Sequence, residues 1–161
     1  MFFNVLADAT MILRVKDSET SYNGFTGFDI FGVTGAGHVD FEVEGFFNSR
    51  YNEGYGMDFF YFSEGEIKVK GVVNLYKNKF SGLGIFAGFR TAVNVVVDKR
   101  GALNSCSNNQ VGFVFKDIFN GGSGTFSGDG YTCGTGGNSG TGGSTGANLP
   151  VCKACPSCPS E

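Results

Sequence analysis

The sequence has no tryptophan, one histidine, three prolines and no tract of basic residues. Each scarcity removes a class of function. A Ser–His or Cys–His nucleophile has a single candidate base, His38, which the residue pattern places on the polar side of a strand beside Asp40 and Glu42. A histidine so placed is a solvated one, and the chain reads as a non-enzyme. A formal charge of −3 and a pI near 5.1 leave no phosphate-tracking face, so nucleic acid is excluded as a partner. No apolar run approaches the roughly 18 residues of a membrane-spanning helix, so no membrane span is expected. The opening MFFNVLADATMILRV lacks a basic leader and is broken by Asn4 and Asp8, which makes it a strand and not a signal peptide. An outer-membrane barrel is disfavoured because acidic and basic residues interrupt the outward faces at mid-strand.

What the chain has in abundance is glycine, 27 residues, and phenylalanine, 18. Together they indicate many tight reversals joining strands with large apolar faces. No window holds the spacing of an amphipathic helix for long. Period-two alternation recurs instead. Ala7, Ala9, Met11, Leu13 and Val15 fall on one side of the first strand, with Ile12 the exception among polar residues. Val39, Phe41 and Val43 oppose His38, Asp40, Glu42 and Glu44, and Ile67, Val69, Gly71, Val73 and Leu75 oppose Glu66, Lys68 and Lys70. A Ser63–Glu64–Gly65 turn suggests a hairpin between the strands around it. Short strands at such spacing predict an antiparallel β-sandwich or jelly roll of about eight strands. A weak repeat, FDIFGVTGAG at 28–37 and KDIFNGGSGT at 116–125, suggests equivalent strand ends.

Three segments follow: a β-sandwich domain over 1–119, a Gly/Ser/Thr-rich arm over 120–149 and a Cys-rich tail over 150–161. A glycine-rich segment can lie flat against another chain, and the arm reads as a joining device. Cys152, Cys155 and Cys158 have the C-x2-C-x2-C spacing that opens a ferredoxin run, but the fourth Cys-Pro is missing. A zinc site would need to recruit Cys106 or Cys133 as a fourth ligand. Disulfides suit the five cysteines better, with Cys106 to Cys133 pinning the arm and at least one thiol left over for another chain. Metal ligands are otherwise unassigned, although the oxygen-rich loops NSRYNEGYGMD (48–58) and SGDG (127–130) suit calcium.

Other constellations are weak. Asp40, Glu42 and Glu44 share one strand face and Glu64 lies near Glu66, spacings compatible with a glycosidase pair but found on most half-exposed strands. The glycine run GVTGAG (32–37) leads into a strand and so lacks the helix terminus that would bind phosphate. Two functions remain. The first is a structural subunit of an extracellular filament, sheath or virion surface, whose partners are copies of itself. The second is a carbohydrate-binding module in which Tyr51, Tyr55 and Tyr61 stack on sugar rings.

Overall fold

The computed structural model describes residues 2–5, 10–33, 38–61, 64–88, 91–110, 112–117, 122–133, 138–141, 147–148 and 151–154. Among them every regular element is a strand. One sheet holds β1 (Phe2–Val5), β3 (Phe28–Val33), β5 (Met57–Tyr61), β8 (Leu83–Ala87), β11 (Phe113–Asp117) and β14 (Asn138–Thr141), side by side in that order. The second sheet takes the chain between them. It begins with two long strands, β2 (Thr10–Ser21) and β4 (His38–Arg50). It then splits into pairs: β6 (Gly65–Val69) with β7 (Val72–Tyr76), β9 (Ala92–Val97) with β10 (Ala102–Cys106), β12 (Ser123–Ser127) with β13 (Tyr131–Cys133), and β15 (Ala147–Asn148) with β16 (Lys153–Ala154).

Each strand pairs with its equivalent one coil later, and all the pairings are parallel. The chain is therefore a parallel β-solenoid, and the antiparallel sandwich or jelly roll expected from the sequence is overturned. The physical reason is that alternation has period two in both kinds of sheet. Alternation reports which face is buried and says nothing about strand direction. The hairpin expected around Ser63–Glu64–Gly65 is absent for the same reason: β5 pairs with β3 and β8, while β6 pairs with β4 and β9. The two strands thus belong to different sheets. The faces themselves follow the alternation, with Val39, Phe41, Val43, Ile67, Val69, Val73 and Leu75 buried and Ile12 54% exposed.

Between the sheets, like positions of successive coils stack. Phe28, Met57, Leu83 and Phe113 form one column and Phe47, Val73, Leu103 and Tyr131 another. Phe28 joins the sheets, its ring 4.8 Å from Phe41 and 5.8 Å from Phe47. Burying each such ring contributes about 1.5–3 kcal/mol. Tyr131 is also buried, and its hydroxyl donates to the carbonyls of Ser127 at 2.8 Å and Val95 at 3.1 Å; burial pushes its pKa up to about 12.

One corner of the coil carries a polar spine. Asn23, Asn52, Asn78 and Asn108 stack so that each side-chain amide donates to the carbonyl oxygen of the next, at 2.8, 2.9 and 3.0 Å. The residue before each asparagine, Tyr22, Tyr51, Lys77 or Ser107, is left-handed, with φ between 55° and 56°. That conformation costs roughly 1 kcal/mol per non-glycine residue, which the ladder offsets. Four residues after each asparagine stands a glycine, and a Cβ on Gly27, Gly56 or Gly82 would collide with the asparagine of the next coil. The motif Asn-x3-Gly-apolar thus recurs as NGFTGF, NEGYGM, NKFSGL and NNQVGF.

A second corner, between the halves of the split strands, brings Gly71 against the backbone of Gly45. A Cβ on Gly71 would lie inside van der Waals contact with the Gly45 carbonyl oxygen, which is backbone and cannot step aside. Gly71→Ala is expected to cost about 1–3 kcal/mol, measured as a lower urea midpoint with an unchanged slope. An unaffected midpoint would show that the corner yields.

Candidate functional site: the open end and the outer faces

A stack of coils has two ends, and among the described residues the first coil presents the longer edge. Among the described residues β2 is hydrogen-bonded on one side only, to β4, over the pairing Thr10–Ser21 with His38–Arg50. Its interior-facing Met11, Leu13 and Val15 pack on the core from one side and are only partly buried. Beneath them lies an open hollow of about 570 Å³, lined by Leu13, Val15, Ser18, Thr20, Phe28 and Phe47 among others. Asp17, in the left-handed region at φ 45°, marks a register shift in the pairing, and its carboxylate accepts a hydrogen bond from the Phe46 amide at 3.2 Å.

The outer face beside it is charged and internally neutralised. Glu42 accepts from Arg14 at 2.8 Å and pairs with Lys70, and these cations, Lys70 first, hold its carboxyl below the usual range. His38 lies 2.7 Å from Asp40, and Glu66 pairs with Lys68 at 3.2 Å. Glu44 and Glu64 are exposed. Of the carboxylates noticed in the sequence, Glu42 pairs with cations of the coils on either side, whereas Asp40 and Glu66 pair with residues of their own strands.

The tyrosines are engaged differently. Tyr51 stacks on Tyr22 of the coil before, ring centroids 4.9 Å apart and 6° from parallel, while Lys77 of the coil after lies 5.0 Å from its centroid. Tyr55 sits edge-on to Phe80 and Phe86 on the outside of the first sheet. Tyr61 ends β5, and its side chain lies outside the described residues.

Of the cysteines, Cys133 is bonded to Cys152, 19 residues on, with Cα atoms 5.4 Å apart. The Cys106–Cys133 pairing expected from the sequence is thereby corrected. Cys106 is itself in a disulfide, and Cys155 and Cys158 lie outside the described residues. The Cys133–Cys152 bond ties β13 to the segment that forms β16, so strands from within the arm and tail stack on the coils before them. The glycine run at 32–37 falls mostly outside the described residues. In loop 48–58 Asn52 is consumed by the ladder, and in loop 127–130 Asp129 is exposed beside Lys153. Among the described residues no group of three or more His, Cys, Asp or Glu side chains is placed to hold a metal ion.

One feature escaped the sequence reading. Asp29 and Asp58 are direct partners on β3 and β5, side by side on the outside of the first sheet. Asp58 is 5% exposed, and Oδ1 of each carboxyl has no hydrogen-bond partner. Burial, then the neighbouring Asp29 charge, pushes the Asp58 pKa up to about 8, and burial raises that of Asp29. Tyr55, raised by burial and then by Asp58, stands beside them. The signal was present: each aspartate follows its Asn-x3-Gly-apolar motif directly, as NGFTGFD and NEGYGMD.

Fold and faces define the chain as a parallel β-solenoid in which, among the described residues, β2 of the first coil is paired along one edge only. Comparison with known proteins finds no matching family, no matching curated protein and no matching solved structure. Among the described residues no helix is long and apolar enough to cross a membrane.

Proposed function

We propose that the chain is a structural subunit that associates with copies of itself end to end, in an extracellular filament, sheath or virion. The observation that carries this reading is β2: a strand of 12 residues with one hydrogen-bonding edge unpaired among the described residues, above a half-covered apolar interior. An edge of that length is a template for another strand, and parallel pairing in register is how every coil of this chain meets the next. A contact between unlike ends propagates and does not close, giving rods. The disulfides agree with an oxidising compartment. The carbohydrate-binding alternative rests on Tyr51 and Tyr55, whose rings are already engaged by neighbours of the same chain.

The test is a charge placed in the open layer. Leu13 is partly buried and borders the hollow, so a lysine there reaches water in the single molecule but lies inside any stacked end. Leu13→Lys is expected to abolish rods in electron micrographs and large species in sedimentation velocity, while lowering Tm by only a few degrees. A parent chain that stays monomeric at high concentration, or a variant that assembles as well as the parent, would sink the reading.

A further inference from the structure

The Asp29–Asp58 pair has no place in end-to-end assembly and calls for its own account. Two carboxyl groups on adjacent parallel strands stand about 4.8 Å apart at the backbone, and these two share one face. The residue that continues their row on β8 is Gly84. A Cβ at Gly84 would come within 2.9 Å of Asp58 Oδ1, 3.0 Å of a Phe86 ring carbon and 3.1 Å of a Tyr55 ring carbon. The missing side chain therefore lets Tyr55, Phe86 and the Asp58 carboxyl close over Gly84, with Asp58 Oδ1 left buried and unpartnered. A fully ionised pair in such a place is costly unless positive charge accompanies it. The positive charge that reaches the pair is the N-terminal ammonium, which draws the Asp29 pKa down against its burial, and among the described residues no cation acts on Asp58.

We propose that Asp29 and Asp58 bind a divalent cation of the calcium type on the outer face of the first sheet. A charge of two neutralises both carboxylates at once. The donors are hard oxygens without imidazole or thiolate, which disfavours zinc and copper. Calcium accepts irregular oxygen geometry and carboxylates in either mode, whereas magnesium demands an octahedron and parts with its waters reluctantly. Asp29 is only half-buried, so water can complete the shell from its side. The cation would fasten the second coil to the third, the coils that carry the two aspartates.

The experiment uses the full chain, freed of metal with a chelator and then exchanged into chelator-free buffer. Calcium chloride is expected to raise Tm by several degrees with a saturating dose dependence. Asp58→Asn is expected to remove the response, Asp29→Asn to weaken calcium affinity by roughly tenfold or more, and Gly84→Ala to weaken it with both carboxylates in place. Terbium(III) is a second readout, since its emission through tyrosine excitation requires a ring close by. Tyr55→Phe is expected to lose that emission while keeping the calcium-induced rise in Tm. Far-ultraviolet circular dichroism confirms that each variant retains its strands. The proposal is overturned if calcium, magnesium and manganese all leave Tm unchanged, in which case protons alone neutralise the pair. It is equally overturned if Asp58→Asn responds to calcium as the parent does, which moves the cation to another site such as the hollow beside Asp98 and Asp129. Neither result bears on end-to-end assembly, which Leu13→Lys tests separately.

Discussion

Asn78→Ala is expected to be the most damaging single truncation in the polar framework, costing about 3–5 kcal/mol. Asn78 is fully buried, and its carboxamide oxygen accepts from both the backbone amide of Asn52 at 3.1 Å and its side-chain amide at 2.9 Å. Its own amide donates to the Ser49 carbonyl at 3.1 Å and to Asn108 at 3.0 Å. Alanine removes all four bonds and leaves two buried donors of Asn52 without that acceptor, each worth about 1–3 kcal/mol in lost hydration. The neighbouring coils cannot close the gap, because their spacing is set by the strands on either side. Urea unfolding checks the prediction, with Asn74→Ala as the control. Asn74 belongs to a second amide row, Asn48–Asn74–Asn104, on the half-exposed outer face, where water replaces what is lost, and a cost below about 1 kcal/mol is expected there. Equal costs for the two substitutions would mean that the inner ladder follows the stack without supporting it.

The second large effect is a dependence of stability on pH that runs opposite to that of most acidic residues. The carboxyl of Asp58 has its pKa raised from 3.8 to about 8 in the folded chain, so the native state holds a proton that the unfolded state gives up. Its contribution is therefore fully present below about pH 4 and is lost progressively as pH rises toward 8. Over that interval the difference amounts to about 3–5 kcal/mol in metal-free buffer. Asp58→Asn removes the titration at the cost of burying an amide. The variant is expected to match the parent or fall slightly below it at pH 4, and to exceed it by a few kcal/mol at pH 8. Taking parent minus variant cancels the other groups, including Glu19 and Glu42, whose lowered pKa values act in the acid range in the opposite sense. A difference that stays constant from pH 4 to 8 would show that Asp58 is solvated in solution.

Both predictions concern residues that become visible only when the chain is aligned with itself. The alternation of Val39, Phe41 and Val43, or of Ile67 and Val69, marks a buried face, and those residues are buried as their pattern requires. The Asp-Ile-Phe similarity between 28–37 and 116–125 pointed at repetition but in the wrong register, setting Asp29 against Asp117. In the stack Asp29 meets Asp58, and Val114 stands at the equivalent position two coils further on. The informative repeat was the turn, Asn-x3-Gly-apolar, whose members stand 29, 26 and 30 residues apart. Unequal coil lengths conceal it from a search for a fixed period.

By itself the sequence determined that the chain is all-β, which positions point inward and which face water, because burial acts on each residue through an alternation the chain carries locally. It also carried the turn asparagines and the glycines that let them stack. Strand direction, the partner of each strand, the pairing of Cys133 with Cys152 and the meeting of Asp29 with Asp58 were decided only in the tertiary structure. Each depends on which coil comes to rest on which, and that is settled by the fit of whole layers, ring on ring and amide on amide, between residues a full coil apart.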